Sequence, residues 1–162
     1  MEVQTKNGVV DIEAADDVAA VAAARQYLSY FQGALPRGEA EEQLLLRDLI
    51  PANKKQPYEI RDIIRTLADR DSFLELRAGF GPGMVTGLLR VEGRPFGVIA
   101  NNCKHMAGAI EAEAADKAVR LMQLCQAHGL PILSLCDTPG FMVGPEVEKR
   151  AQVRHVCRMF VI

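Results

Sequence analysis

Two apolar runs that each empty into a loop of small residues constrain this chain more than any other feature. Phe96-Gly97-Val98-Ile99-Ala100 runs into Asn101-Asn102 and then a loop holding His105 and Ala107-Gly108-Ala109. Leu133-Ser134-Leu135-Cys136 runs into Asp137 and the turn Thr138-Pro139-Gly140-Phe141. The pattern predicts two buried strands of a layered α/β protein that open at their ends into a polar crevice. Sites form at such ends because a rigid core fixes the loop backbone. The small side chains point to a site built from main-chain amides rather than from a side-chain triad. No serine sits in a G-x-S-x-G elbow, so that route to a hydrolase is unsupported.

The rest of the chain supplies the frame. Asp16 and Asp17 precede an alanine-rich run from Val18 to Phe31 and are placed to cap a helix. Val18, Val21, Ala22 and Leu28 make its apolar stripe. Gly33, Pro36 and Gly38 then break the chain. Residues 33–56 read as a linker, with a short docking element from Leu44 to Ile50, closed by Ile50-Pro51-Ala52-Asn53-Lys54-Lys55. Ile60, Ile63, Ile64 and Leu67 follow one face of a helix. Phe73 to Leu76 predicts a short strand. Met84 to Val91 and Arg94 to Ala100 predict a hairpin turning at Glu92-Gly93. Glu111 to His128 predicts a strong helix, acidic at its start and stopped by Gly129. Pro145 to Arg158 reads as one further helix, and Phe160-Val161-Ile162 as the beginning of a strand. A chain that stops there, and whose first helix has no strands before it, reads as the middle of a longer protein.

Bulk properties narrow the class. The 162 residues suffice for one ordinary core. A net charge of −2 gives no basic face for nucleic acid or a membrane surface. No apolar run reaches the roughly 20 residues that span a bilayer, and the start, Met-Glu-Val-Gln-Thr-Lys, is not a secretory leader. Cys103, Cys125, Cys136 and Cys157 form no CxxC pair. They read as reduced cytosolic thiols, with Cys125 and Cys136 packed as small hydrophobes, rather than as metal ligands or disulfides.

The candidate site has two readings at each position. Ala107, Gly108 and Ala109 precede a helix start, where unpaired amides point outward; such amides can hold an oxyanion or enolate. Alternatively, Gly108 only permits a tight turn. Asp137 accepts turn hydrogen bonds or serves as a base. His105 contacts a ligand or faces solvent, while His155 reads as structural. Phe80-Gly81-Pro82-Gly83-Met84 lacks the lysine of a phosphate loop; it reads as a turn that lets backbone pass close to another segment.

From Tyr58 to Ile162 the chain resembles the carboxyltransferase (β) component of biotin-dependent acyl-CoA carboxylases, the propionyl- and acetyl-CoA carboxylase family. The likeness rests on Tyr58-Glu59-Ile60-Arg61-Asp62-Ile63-Ile64, Phe73-Leu74-Glu75, Gly87, Arg90-Val91-Glu92-Gly93-Arg94-Pro95 and Gly97-Val98-Ile99-Ala100-Asn101. It continues through Ala107-Gly108-Ala109-Ile110, Asp116-Lys117-Ala118, Pro131-Ile132-Leu133 and Asp137-Thr138-Pro139-Gly140-Phe141. The runs Gly79 to Val85 and Val143 to Lys149 look like one branch of that family.

The resemblance implies a crotonase-like (ClpP/crotonase) α/β spiral of ββα units. Residues 1–56 would be the tail of an N-terminal lobe plus an inter-lobe linker, and residues 57–162 the first part of the C-terminal carboxyltransferase lobe. It implies transfer of a carboxyl group from carboxybiotin, on a carrier protein, to the α carbon of an acyl-CoA, without metal. Gly108 and Ala109 would be catalytic amides of half an oxyanion hole. Asn101, Asn102, His105, Met106, Ala107, Asp137, Pro139, Gly140 and Phe141 would line the biotin side. The implied partners are biotin carboxylase and biotin carboxyl carrier subunits, with neighbouring lobes of a homo-oligomer completing the site in the cytoplasm. The acyl-CoA lobe and a later glycine-rich loop are missing, which puts activity of this chain alone in question. A crotonase-type hydratase or isomerase, using Glu111 or Glu113, and a non-catalytic assembly fragment are the alternatives.

Overall fold

The computed structural model describes residues 2–53 and 55–162. Met1, in the opening hexapeptide, and Lys54, in the segment closing the linker, lie outside them. Helix α1 (Glu2–Lys6) leads to α2 (Asp17–Ser29), and Asp16 caps α2 by accepting the Ala19 N–H at 2.8 Å. The apolar stripe expected to dock α2 is on its outer side: Val18, Val21, Ala22 and Leu28 are exposed. The helix packs instead through Ala23, Gln26, Tyr27 and Tyr30, which recur at helical spacing. Tyr30 is fully buried; its hydroxyl donates to the Ser72 carbonyl and its ring lies under Arg90. Aromatic area outweighs the small valine and alanine faces, which is why the tyrosines decide the docking side.

The linker holds a 3₁₀ turn and the four-residue α3 (Leu46–Leu49), the expected docking element in short form. Helix α4 (Ile60–Leu67) follows, with Ile60, Ile63 and Ile64 buried. The sheet order is β1 (Leu74–Leu76), β2 (Met84–Val91), β3 (Arg94–Asn101), β4 (Ile132–Leu135). The first three strands are antiparallel, and β4 is parallel to β3. A parallel return needs a crossover, supplied here by α5 (Ala112–His128). Thus β2, β3 and α5 make one ββα unit, and β4 lies beside β3.

Alternation along β2 explains the core. Val85 and Leu89 face α4, while Met84 and Leu88 face α5. With a helix on each face the strand is buried from Met84 to Arg90. The hairpin turns at Glu92 (φ 50°) and Gly93 (φ 78°), the left-handed pair that a two-residue turn requires. Both turn amides donate to the Asp69 carboxylate, at 2.9 and 2.7 Å. Helix α5 stops at Gly129 (φ 64°), as its sequence predicts.

Four expectations change. Strand β4 is not buried: it is the last strand of the sheet, with Ile132 and Ser134 exposed and only Leu133 and Leu135 half-buried. Cys136 beyond it is exposed too, whereas Cys125 is buried behind Gly97, where a Cβ would come within 2.4 Å of its sulfur. The helix expected from Pro145 to Arg158 is two, α6 (Pro145–Glu148) and α7 (Gln152–Cys157), because Ala151 turns left-handed at φ 55°. Arg158–Phe160 is a 3₁₀ turn closing α7 rather than a strand.

Candidate functional site

Every expected site residue lies in one of two loops at the C-terminal ends of β3 and β4, and the fold zips these loops together. Asn101, at the end of β3, is 5% exposed. Its Nδ2 donates to the Gly108 carbonyl at 3.2 Å, and its Oδ1 accepts the Asp137 N–H at 3.2 Å. One buried amide side chain therefore ties both loops. Beyond it, Ile110 N–H donates to the Gly140 carbonyl (3.0 Å) and Met142 N–H to the Ile110 carbonyl (2.9 Å), a short parallel bridge. Gly108 sits where they touch: at φ 81°, a Cβ there would meet the Asp137 carbonyl oxygen at 2.3 Å. No other residue type fits that approach.

Asn102 is also structural. It donates from Nδ2 to the Pro82 carbonyl (2.9 Å) and from its backbone to the Gly83 carbonyl (3.0 Å), and its Oδ1 accepts the Lys104 N–H. The Gly81-Pro82-Gly83 turn thereby does what its sequence suggests. A Cβ on Gly81 would meet the Glu113 carbonyl at 2.8 Å, so the turn lies against the start of α5.

The loop between them holds three consecutive left-handed residues, Met106 (φ 47°), Ala107 (φ 53°) and Gly108 (φ 81°). The amides of Gly108 and Ala109, expected to be free, are not. Gly108 N–H donates to the His105 carbonyl at 2.9 Å, and Ala109 N–H to the Met106 carbonyl at 3.1 Å. Both residues are buried. These bonds close a single 3₁₀ turn, Met106–Gly108, that precedes α5 rather than belonging to it. The N–H groups of Met106 and Ala107 have no acceptor among the described residues, and both residues are exposed. Successive unpaired amides in left-handed backbone are of the kind that can cradle a negative oxygen. The unpaired amides thus lie two residues earlier than the Gly108–Ala109 pair the sequence suggests.

The side chains around the loop are already committed. His105 Nε2 lies 2.9 Å from Glu111 Oε1, so the half-buried ring is paired within the chain rather than simply facing solvent. That pairing occupies Glu111, one of the two glutamates a hydratase could use, while Glu113 is exposed. Asp137 is exposed, and its Oδ2 accepts the Tyr58 hydroxyl at 2.7 Å. Burial, then this hydrogen bond, pushes the Tyr58 phenol well above its ordinary range, so it stays a donor. Tyr58 is fixed in turn by Cys103, whose sulfur accepts the Tyr58 N–H (3.2 Å) and donates to its carbonyl (3.3 Å). Sequence spacing gave no hint of either pair, because the partners lie 79 and 45 residues apart. Pro139 and Phe141 are exposed, Gly140 half-buried, and the Phe141 ring meets Phe160 edge-on at 5.9 Å.

A cleft of about 500 Å³ opens beside Met106 and Met142, between the start of α5 and α6–α7. Gln152 at its base is buried and donates to the Ile110 carbonyl at 2.9 Å. His155 on its wall has Nδ1 2.7 Å from Asp116 Oδ2, and Arg158 also reaches Asp116, at 3.2 Å. This network pins α7 to α5, the structural role expected of His155.

Comparison with known proteins agrees over nearly the whole chain. The family described as carboxyl transferase domain matches residues 1–160. A biotin-dependent acetyl-/propionyl-coenzyme A carboxylase beta5 subunit from Mycobacterium tuberculosis is 34% identical over 170 residues, covering 95% of this chain and 31% of that protein. A single-chain, multi-domain long-chain acyl-CoA carboxylase superposes with a TM-score of 0.96 at 52% identity, over 98% of this chain and 16% of that one. Transcarboxylase 12S, a hexamer crystallised with hydrolysed methylmalonyl-coenzyme A, gives a TM-score of 0.87 at 30% identity, over 98% of this chain and 32% of its own. The chain spans about a third of the length of the curated relatives it matches.

Proposed function

The chain belongs to the carboxyl transferase domain family, and from that premise we propose that its Met106–Gly108 loop is the biotin-side half of a carboxyltransferase site. When delivered by its carrier, carboxylated biotin supplies the carboxyl group that passes to an acyl-CoA. The observation that carries the reading is the pair of N–H groups at Met106 and Ala107, on exposed residues and without an acceptor among the described residues. They suit a ureido carbonyl, whose oxygen gains negative charge as the carboxyl group leaves. Gly108 and Ala109 hold the loop in shape through their own turn bonds. Asn101 and the Ile110–Gly140 bridge keep Asp137–Phe141 as the adjoining wall. Tyr58 holds the Asp137 carboxylate away from the role of a free base. His105 and Asp137 are each held by a partner, Glu111 and Tyr58, which favours an amide-based reaction over one that uses either as a free base.

The finer assignments go with this reading. Residues 1–56 finish an N-terminal lobe and a linker, and residues 57–162 begin the C-terminal lobe. Biotin carboxylase and carrier subunits or domains are the partners, and a lobe of a neighbouring copy brings the acyl-CoA. The hexamer of transcarboxylase 12S supports such an arrangement, and the four free cysteines suit the cytoplasm.

The test is replacement of the Ala107 N–H by an ester oxygen in the assembled enzyme, which deletes one donor without changing shape. The carboxyl transfer rate should fall about 10²- to 10³-fold with the fold intact. An unchanged rate sinks the assignment.

A further inference from the structure

Lys117 is the most deeply buried charged side chain among the described residues, and the site does not use it. It lies on α5, is 1% exposed, and its Nζ has no hydrogen-bond partner among the described residues. It borders a cavity of about 50 Å³ beneath β1 and β2. Arg77 lines the same cavity, and its Nε is likewise buried without a hydrogen bond. Lys117 Nζ, and Arg77 Nε beyond its ion pair with Asp11, are buried cationic donors beside one small space that lack a hydrogen-bond acceptor.

The nearby acids do not supply it. Asp11 Oδ1 stands 2.9 Å from Arg77 Nε but out of line with its N–H, and Asp11 is half-exposed. Glu75 acts on Lys117 through space, but both its oxygens are held by Arg61, at 2.7 and 2.6 Å. The Thr86 hydroxyl is spent on the Leu76 carbonyl at 3.1 Å. Arg120 adds a third cation at the rim.

We propose that this cavity binds a small inorganic anion of chloride size, held by Lys117 Nζ and Arg77 Nε. The charges lining it, Lys117, Arg77 and Arg120 against Asp11, leave a positive excess. The space suits one monatomic ion. Burial pulls the Lys117 ammonium down to about 8, so it still carries its charge at neutral pH. The anion would bridge the sheet to the helix whose start carries the candidate loop.

The experiment is thermal melting of the chain with chloride raised from about 10 mM to about 500 mM at fixed ionic strength, with gluconate as the balancing anion. A ligand bound only by the folded state raises the melting temperature as its concentration rises. Wild type should gain several degrees, and Lys117→Met should show no chloride dependence. Crystals soaked in bromide should give an anomalous peak within contact of Lys117 Nζ. Equal melting in chloride and gluconate, an equal chloride response in Lys117→Met, or no bromide peak would each mean that water alone serves these donors, and would overturn the proposal.

Discussion

Lys117 shows how one residue can act against the fold that holds it. Its ammonium is buried, with Arg61 and Arg77 adding repulsion and Glu75 a partial offset. A lysine whose folded value lies near 8, below the ordinary 10.5, binds its proton more weakly when folded than when unfolded. The cost is present in full below pH 8 and fades as pH rises from 8 to 10.5. At low chloride and pH 7, Lys117→Met should therefore stabilise the chain by roughly 3 kcal/mol. Denaturant titrations at pH 7 and pH 10.5 check it: the gain should shrink at the higher pH, and a gain that stays constant would show that charge burial is not its source.

At the scale of elements, the two loops are positioned by contacts rather than by their own preferences. Three left-handed residues in a row are costly for Met106 and Ala107. The loop keeps that shape because Asn101, Gly108 and the Ile110 bridge hold it from below. Gly108→Ala places a Cβ on the Asp137 carbonyl at a φ of 81°. It should destabilise the chain by about 2 to 4 kcal/mol and separate the loops. Gly129→Ala makes the control: it shares a positive φ but meets nothing within 4 Å, and should cost only about 1 kcal/mol. Equal losses at the two glycines would show that the close approach does not matter.

The whole molecule is unevenly covered. Strand β4 ends the sheet with Ile132 and Ser134 exposed, and Val143, Phe160 and Val161 are exposed at 80%, 72% and 84%. An open apolar strand edge is a template for another strand. The chain should self-associate on its own, and Ser134→Lys should shift it toward monomer and make its melting temperature less dependent on protein concentration. Light scattering after size exclusion reads both; an unchanged distribution would place the contact elsewhere.

The sequence by itself determined what depends on near neighbours in the chain. The α4 stripe, the Glu92-Gly93 turn, the Asp16 cap and the Gly129 stop each express local backbone preference or helical period. The ββα order and the two loops were legible for the same reason, as was the family through its ordered motifs. Tertiary structure alone decided which groups face what. It turned α2 onto its tyrosines, left β4 at an edge, broke the last helix at Ala151 and moved the free amides to Met106 and Ala107. It also joined Tyr58 to Asp137 and buried Lys117 without a partner. Those outcomes follow from contacts between residues far apart in sequence, whose energies no local pattern encodes.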